Sequence, residues 1–322
     1  MLTHSKLVAD IGGTNIRFGL VGAHLAISDV IALRCADFSG PAEAALAYLE
    51  QCKLSQGVVR QAAFAVASAV LGDTIKLTNS NWSFNRGSVK RVLGLEKLLL
   101  LNDFEALALS LPALAANDYQ VIGAARPASA QPMIVIGPGT GLGVAGVIPS
   151  RHGWIAVPGE GSHATLAAAD DFEAEILRAA RGEFSHVSAE RLLSGIGLPV
   201  LLRAVCAVRG VPRITLPAEQ ISTLGVSGSD PQCRTTMELF FAFLGGFAGN
   251  IALAFGARGG VFIGGGIVPN LTDFLLSSRF RERFEAKGRF QPYLADIATA
   301  IITAPYAALR GLAGAMSAAD SN

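Results

Sequence analysis

Short apolar runs alternate with longer helical stretches along this chain, and the first of them sets the pattern. Residues 7–10 form an apolar run that ends in a carboxylate, a Gly-Gly-Thr turn follows, and residues 16–21 alternate apolar and polar positions. We therefore predict a strand, a tight turn and a returning strand. Similar runs predict strands at residues 64–67, 73–77, 97–101, 133–136, 142–148, 261–263 and 300–303, and periodic stretches predict helices at residues 41–53, 88–95, 104–114 and 307–317.

The strand–glycine–threonine–strand pattern occurs twice. Gly13 and Thr14 align with Gly139 and Thr140 when the chain is compared with itself, and each pair stands between two predicted strands. The second copy lacks the carboxylate that Asp10 gives the first. The pattern favours an internal repeat, with one hairpin in each of two domains. Because the match is short, a chance similarity is the alternative.

The two glycine turns could bind phosphate. Successive backbone N–H groups at such a turn form a concave anion site, and the threonine hydroxyl adds a donor. Two such turns in facing domains could hold the phosphates of a nucleotide. Asp10 would suit Mg²⁺ or its bound waters, because magnesium takes few carboxylates. The alternative is that both turns belong to ordinary glycine hairpins.

Two other nucleotide-binding patterns are excluded. The chain contains no GxxxxGK[ST] sequence, which is the motif of the P-loop that binds nucleotide phosphates in many proteins. A GxGxxG pattern does occur at Gly141, Gly143 and Gly146. It continues as a predicted strand, whereas a dinucleotide-binding turn must open a helix whose N-terminus holds the pyrophosphate.

Composition bounds the class of protein. A chain of 322 residues is long enough for about two domains, and a loop rich in Ala, Pro, Ser and Gln at residues 124–132 predicts a boundary region. The hydrophobic share of 51% excludes intrinsic disorder. With 26 basic and 25 acidic side chains the net charge is +1, so the chain has no global basic excess for binding nucleic acid.

Cysteine spacing and hydropathy restrict the compartment. The four cysteines form no CxxC or CxH pattern, which argues against a zinc or redox motif and favours buried, inert thiols. Residues 1–6 lack the features of a signal peptide. The most apolar stretch, residues 239–255, is shorter than a membrane span, so we predict a buried core helix and no membrane association. Gly245 and Gly249 within it would let a neighbouring element approach closely.

Four polar residues in or beside predicted loops are candidates for chemistry. Asp103 follows a buried strand, where open α/β sheets bind ligands, although it could instead be the N-cap of the next helix. Glu160 and His163 could hydrogen-bond one polyol, with a solvated loop as the alternative. Glu190 follows Ser188, which could cap a short helix and leave the glutamate on the surface. The spacing of the other histidines and of the cysteines supports no nucleophilic triad.

Six motifs stand in a fixed order from the first strand to about residue 290. They are DIGGTNIR at 10–17, LNDF at 101–104, GPGTGLG at 137–143, PGEGSH at 158–163, HVSAERLLSG at 186–195 and GVFIGGGIVP at 260–269. In this order they resemble the bacterial ATP-dependent glucokinases of the actin/hexokinase/Hsp70-like superfamily. The resemblance implies an α/β, two-domain ribonuclease H-like (actin/hexokinase-like) fold with an interdomain cleft. It also implies a small domain of residues 1–113 plus 303–322 and a large domain of residues 114–302.

The resemblance implies a reaction and its site residues. The reaction is phosphoryl transfer from MgATP to the 6-hydroxyl of glucose, giving glucose 6-phosphate and ADP, and Asp103 matches the catalytic base. The positions that match the glucose contacts are Asn102, Asp103, Glu160, His163 and Glu190. The positions that match the phosphate and magnesium side are Asp10, Gly12, Gly13, Thr14, Gly139, Thr140 and Gly141, with Asp10 reaching Mg²⁺ through water, while Gly264, Gly265 and Gly266 match a loop near the adenosine. We expect a cytoplasmic homodimer, because the family is cytoplasmic and typically homodimeric.

The chain departs from the family pattern at a few positions. Ala9 and Ser162 replace glycines, residues 67–69 lack a usual proline, and residues 305–311 differ from a Pro-Gly-Leu-x-Gly pattern. The last departure weakens the expectation for the final helix. The cysteine-rich zinc loop of the related repressor/kinase family is absent from the sequence. A kinase for another hexose and a non-catalytic sugar or nucleotide sensor on the same fold are the alternatives, and retention of Asp103 and both Gly-Thr turns argues against the sensor.

Overall fold

The computed structural model describes residues 6–55, 57–77 and 82–320, which form two compact units. The first unit comprises Met1–Ala113, Ser150–Pro158 and Pro305–Asn322, and the second comprises Leu114–Pro149 and Gly159–Ala304. The domain ranges expected from the resemblance differ from these units at residues 150–158 and 303–304.

Thirteen strands and twelve α-helices form within the described residues. The strands are β1 Lys6–Ile11, β2 Asn15–Val21, β3 Ile27–Arg34, β4 Gln61–Val66, β5 Thr74–Lys76, β6 Ser83–Asn85, β7 Lys97–Asn102, β8 Tyr119–Ile122, β9 Met133–Pro138, β10 Leu142–Ser150, β11 Gly153–Gly159, β12 Gly260–Ile263 and β13 Thr299–Ile302. The helices are α1 Pro41–Gln51, α2 Arg86–Leu93, α3 Asp103–Ser110, α4 Asp171–Arg181, α5 Ala189–Leu192, α6 Leu198–Val208, α7 Ala218–Ser227, α8 Pro231–Phe255, α9 Thr272–Ser277, α10 Phe280–Glu285, α11 Gln291–Ala295 and α12 Ala307–Asp320. Every predicted strand is present, which confirms the interpretation of the apolar runs.

The first unit is built on a five-stranded sheet of order β3-β2-β1-β4-β7. β1 is antiparallel to β2 and parallel to β4, which is itself parallel to β7. Both faces of β1 are buried because its side chains alternate between two cores. Leu7 and Ile11 pack in a cluster with Tyr48 of α1, whereas Val8 packs in a cluster with Leu312 of α12. The near-continuous apolar sequence of β1 follows from this burial on both sides.

A second sheet has the order β11-β10-β9-β12-β13-β8. Its hairpin β9–β10 is antiparallel, and β9 is parallel to β12, which is parallel to β13. The two sheets therefore share one plan, in which a glycine hairpin is followed by two further parallel strands. This common plan confirms the predicted internal repeat and excludes a chance similarity of two short motifs. Strand β10 continues past Gly146, which also confirms the exclusion of a dinucleotide-binding turn.

The apolar stretch predicted as a core helix is part of α8. This helix is long and apolar enough to cross a membrane by length and composition, but most of its apolar window is buried within the protein, as is typical of a core helix. It begins earlier than predicted, at Pro231, because the Asp230 carboxylate accepts N–H groups of the first turn. Cβ atoms at Gly245 and Gly249 would collide with carbonyl oxygens of α10, which confirms the predicted close approach.

All four predicted helices are present with somewhat different ends, and the last two differ most. The helix predicted to run to residue 114 stops at Ser110 and continues as a 3-10 turn, Leu111–Ala113, because the proline at position 112 has no N–H to donate. The last helix runs to Asp320, three residues beyond the prediction. It packs so closely on α3 that a Cβ at Gly311 would overlap the carbonyl oxygen of Ala106.

A buried ion pair joins α10 to the start of α4 in the second unit. Arg283 Nη2 lies 2.6 Å from Glu173 Oε2, and these side chains are 7% and 1% exposed. The same Glu173 oxygen accepts the N–H of Ala169 at 2.8 Å, while Asp170 accepts the N–H of Glu173. The arginine therefore neutralises a carboxylate that the capping of α4 holds inside the protein. No sequence pattern predicted this pair, because its members are 110 positions apart.

Candidate active site

Three parallel strands of the first unit end side by side. The register of β1, β4 and β7 places Ile11, Val66 and Asn102 at one edge of the sheet. Asp10 thus lies one residue before the end of β1, and Asp103 directly follows β7. Ligands of α/β sheets bind beyond the carboxyl ends of parallel strands, so both carboxylates lie where they can contact a bound substrate.

Asn102, and not Asp103, caps helix α3. Asn102 Oδ1 accepts the N–H groups of Phe104 at 2.9 Å and Glu105 at 3.3 Å, and the Glu105 carboxylate accepts the N–H of Asn102 in return. Asn102 Nδ2 donates to the carbonyl oxygen of Ser68 at 3.3 Å. The interpretation of Asp103 as the N-cap is therefore wrong. Asp103 is the first residue of the helix, with one carboxylate oxygen 3.0 Å from the N–H of Phe104.

The environment raises the pKa of both carboxylates at this edge. Burial raises the pKa of Asp103 to about 6, and the negative charge of Asp10 adds to the increase. Burial also raises the pKa of Asp10, against the opposing charge of Arg17, whose Nη1 lies 3.6 Å from Asp10 Oδ2. A carboxylate with a pKa near 6 is ionised at neutral pH and is a stronger base than an ordinary aspartate.

The turn between β1 and β2 contains Gly12, Gly13 and Thr14. The N–H of Gly12 donates to the carbonyl oxygen of Asn15 at 3.0 Å, and the carbonyl oxygen of Thr14 accepts the N–H of Cys35 at 2.9 Å. The turn is therefore fixed at both ends, and Thr14 is exposed at its tip.

Asp10 provides a donor set that fits magnesium. Among the described residues, no group of three or more His, Cys, Asp or Glu side chains could hold a metal ion by itself. Mg²⁺ is commonly held by one or two carboxylates together with waters and substrate phosphates. The Asp10 carboxylate is 26% exposed, and its contact with Arg17 is longer than a good hydrogen bond. The carboxylate can therefore accept a water of a hydrated cation.

In the second unit the β9–β10 turn lies against the glycine loop that follows β12. The N–H of Gly264 donates to the carbonyl oxygen of Ile136 at 2.9 Å, and the N–H of Ile267 donates to that of Pro138 at 3.1 Å. Gly265 has a φ of +79°, and a Cβ there would overlap the Pro138 carbonyl, so this position requires glycine. The structure thus brings together two candidate groups, the hairpin turn Gly139, Thr140 and Gly141 and the loop Gly264, Gly265 and Gly266.

Glu160, His163 and Glu190 converge in the second unit. His163 Nε2 lies 3.7 Å from Glu160 Oε2, and His163 Nδ1 lies 4.0 Å from Glu190 Oε1. Glu160 and His163 are exposed, whereas the Glu190 side chain is 26% exposed. The Ser188 side chain does cap the short helix α5, as the alternative interpretation expected. Glu190 is nevertheless more than a surface residue, because its Oε2 accepts the N–H of Leu142 at 2.9 Å.

His186 is a residue of this cluster that the sequence analysis missed. Its Nε2 lies 3.0 Å from the carbonyl oxygen of His163. Backbone hydrogen bonds run beside this contact, from Leu166 to Val187 and from Ala189 to Ala164, both at 3.0 Å. The segment before α5 therefore supports the main chain that carries His163. The 23 positions between the two histidines fit no periodic pattern, so only their long-range pairing reveals the contact.

The buried thiols agree with the sequence interpretation. Cys35, Cys206 and Cys233 are buried and Cys52 is partly buried, and all four are free. Burial raises the pKa of Cys233 to about 12, with the neighbouring Asp230 carboxylate adding to the increase. The Cys233 thiol is therefore protonated and unreactive at neutral pH.

The repeated hairpin-and-parallel-strand plan, with carboxylates at the strand ends and glycine loops beside them, defines an α/β phosphotransferase of the actin/hexokinase-like class. A sequence model of the family described as Glucokinase matches residues 7–319. The chain belongs to the glucokinase family, which confirms the resemblance, the fold class and the prediction of a hexose kinase.

Similar proteins span nearly the whole chain. Glucokinase of Paramagnetospirillum magneticum is 48% identical over 315 residues, covering 97% of this chain and 98% of that protein. Glucokinase of Chromobacterium violaceum is 46% identical over 308 residues, covering 96% and 88%. The crystal structure of a glucokinase from an Antarctic psychrotroph superimposes with a TM-score of 0.89 at 37% identity, covering 97% and 98%. A Streptomyces griseus ROK family glucokinase, solved in complex with glucose and AMPPNP, shares the fold with a TM-score of 0.64 at 20% identity, covering 96% and 97%.

Proposed function

We propose that this chain transfers the γ-phosphoryl group of ATP to the 6-hydroxyl of glucose, giving glucose 6-phosphate and ADP. The observation that carries this proposal is Asp103, a largely buried carboxylate with a pKa of about 6 at the end of a parallel strand. Asp103 accepts the hydroxyl proton as the sugar oxygen attacks the phosphorus atom. A positioned base of this kind contributes about 10²–10⁴-fold to the rate.

The sugar is held by Glu160, His163 and Glu190, together with Asn102. Carboxylates accept hydrogen bonds from hydroxyl groups, and the imidazole can donate or accept. The Oδ1 of Asn102 is occupied by the helix cap, so its contribution comes from Nδ2, which has one hydrogen left after the bond to Ser68. Sugars with the wrong hydroxyl pattern leave these acceptors unpaired, and this lowers the rate of their phosphorylation.

The phosphate groups are held by the two glycine turns. Gly12, Gly13 and Thr14 form one turn, and Gly139, Thr140 and Gly141 form the other, with Gly264, Gly265 and Gly266 on the adenosine side. Bound Mg²⁺ supplies neutralisation of phosphate charge, which is a main contribution to catalysis of phosphoryl transfer. Asp10 would hold a water of that ion. Arg17 keeps a positive charge beside Asp10, which favours the ionised carboxylate.

We also propose that the enzyme works in the cytoplasm as a homodimer, with glucose and ATP as its small-molecule partners. Four free thiols support the cytoplasmic assignment, because reduced cysteines are the rule in that compartment. The proposal of a dimer follows from the resemblance to a typically homodimeric family, and sedimentation of the purified protein tests it.

The experiment that tests the function is a coupled ADP-release assay with MgATP and a panel of hexoses. The panel contains glucose, mannose, fructose and N-acetylglucosamine, and the Asp103→Ala variant is measured beside the wild type. We expect the highest kcat/KM on glucose and a loss of at least about 10²-fold in the variant. A higher kcat/KM on another hexose would reassign the substrate. Saturable glucose binding without turnover would identify a sensor and refute the kinase.

A further inference from the structure

Glu190 touches two groups at once. Its Oε1 faces His163 Nδ1 at 4.0 Å, on the side proposed for the sugar. Its Oε2 accepts the N–H of Leu142 at 2.9 Å, at the first residue after the β9–β10 turn. One carboxylate therefore spans from the proposed sugar ligands to the proposed phosphate turn. A charge-assisted hydrogen bond of this type is shorter and stronger than one between neutral groups.

The segment that carries Glu190 holds the same turn a second time. The N–H of Gly195 donates to the carbonyl oxygen of Gly139 at 2.8 Å. The hydroxyl of Ser194 donates to the carbonyl oxygen of Glu190 at 2.8 Å and accepts the N–H of Gly197 at 3.1 Å. The turn is thus fixed on both sides of Thr140 by residues of one short segment. That segment is itself closed by local hydrogen bonds, so it holds the turn as one piece.

The glycine at position 141 is explained by this contact. An added Cβ at Gly141 would lie 2.6 Å from Glu190 Oε2, closer than Cβ atoms approach an oxygen. An added Cβ at Gly139 would meet nothing closer than the Gly266 nitrogen at 3.9 Å, which is ordinary contact. The two glycine positions of this turn therefore differ in whether a neighbouring atom blocks a side chain there. The carboxylate of Glu190 occupies the space that a side chain at position 141 would need.

We propose that Glu190 is a positioning residue for the phosphate turn in addition to being a sugar ligand, so that sugar and nucleotide bind cooperatively. The inference rests on the proposed function. A sugar hydroxyl that binds Oε1 fixes the carboxylate, and the fixed Oε2 fixes the Leu142 N–H and the turn beside it. Because binding linkage is reciprocal, nucleotide on the turn strengthens sugar binding by the same factor.

The first test compares Glu190→Ala with Glu190→Gln by titration calorimetry of AMPPNP and Mg²⁺ in the absence of sugar. The alanine variant has no acceptor for the Leu142 N–H, and we expect its nucleotide dissociation constant to rise at least about fivefold. The glutamine variant keeps a carbonyl acceptor of the same reach, and we expect its nucleotide affinity to remain within about twofold of wild type. Equal nucleotide affinity in wild type and Glu190→Ala would overturn the positioning role.

The second test leaves Glu190 unchanged and measures glucose binding without nucleotide in Gly141→Ala and Gly246→Ala. The added methyl at position 141 displaces the carboxylate, so we expect the glucose dissociation constant to rise at least about tenfold, as for a lost hydrogen bond to a charged group. The control variant at position 246, in α8 of the same unit, should bind glucose within about twofold of wild type, since its methyl meets no neighbour. Equal glucose affinity in the two folded variants would overturn the coupling.

The two tests separate this inference from the proposed function. If the wild type binds AMPPNP but no glucose, the sugar assignment fails, and the Glu190→Ala nucleotide titration still decides whether the residue positions the turn. Circular dichroism and melting curves show whether each variant is folded. If Gly141→Ala does not fold, the comparison of Glu190→Ala with Glu190→Gln carries the decision.

Discussion

Replacement of Asp103 by asparagine is expected to remove activity and increase stability together. The asparagine side chain keeps an oxygen for the N–H of Phe104, which Asp103 accepts at 3.0 Å. It cannot take the hydroxyl proton, so we expect kcat to fall by about 10²–10⁴-fold. It also carries no charge, so the penalty for holding an ionised carboxylate in a buried place beside Asp10 disappears.

The size of the stability gain follows from the pKa. The pKa of Asp103 is raised from 3.8 to about 6 on folding, so the folded state holds the proton more tightly than the unfolded state. The free energy of unfolding therefore decreases as pH rises between these two values, and the cost is complete above the folded value. The cost of ionising Asp103 is roughly 3 kcal/mol at pH 7 and about half of that at pH 5. Asp103→Asn should recover a large part of it.

The assay is thermal unfolding of wild type and Asp103→Asn at pH 7 and pH 5, with kcat measured on the same preparations. For a chain of this length, we expect a rise of roughly 4 °C at pH 7 and a smaller rise at pH 5. Asp37→Asn, at an exposed aspartate of the same unit, is the matched control and should change neither quantity. A variant that keeps near wild-type kcat, or that melts below wild type at pH 7, would refute the assignment of a strained catalytic base.

Three further outcomes are expected. Asp10→Asn removes the charge that adds to the effect of burial on the pKa of Asp103, so the acid limb of the kcat/KM profile, near pH 6 in wild type, should move to lower pH. An unchanged acid limb would show that the charge of Asp10 does not affect the ionisation of Asp103. Gly311→Ala should lower the free energy of unfolding by about 1–3 kcal/mol or more because its methyl overlaps a carbonyl oxygen of α3. Gly314→Ala is the control and should be neutral or stabilising, because its methyl meets no neighbour. Equal denaturation midpoints for the two variants would contradict the packing argument. Arg283→Met should cost about 3–5 kcal/mol in urea unfolding because a buried carboxylate loses its partner, and a change under about 1 kcal/mol would show that the pair is not buried in solution.

The sequence predicted the strands and the repeat because both depend on local pattern. A short apolar run flanked by Gly-Thr is typical of a strand that is buried on both faces of a covered sheet, and such a run begins the glycine hairpin of each sheet. The order of the motifs then indicated the family, and position after a strand indicated Asp103. These inferences require residues close together in the chain, and the structure agrees with them to within a few residues at the ends of the elements.

The sequence could not decide between local alternatives of similar energy. The sequence analysis offered Asp103 as a possible N-cap of α3, but the adjacent Asn102 is an equally good capping residue. In the structure Asn102 is the N-cap, because its side-chain oxygen accepts two backbone N–H groups while its side-chain NH₂ group donates to the carbonyl oxygen of Ser68. Asp103 is therefore not needed as the cap, and this arrangement depends on a partner of Asn102 that is 34 positions away.

Three contacts that the sequence did not predict, two in the site and one in the core of the second unit, are long-range. Glu190 meets Leu142 across 48 positions, His186 meets the carbonyl of His163 across 23, and Arg283 meets Glu173 across 110. Hydrophobic periodicity decides which face of an element is buried, and so it determined the sheets, the core helix and the place of Asp103 at the end of a strand. Hydrogen bonds between polar side chains are satisfied by whichever donor or acceptor folding brings near, and only the tertiary structure decides which one that is.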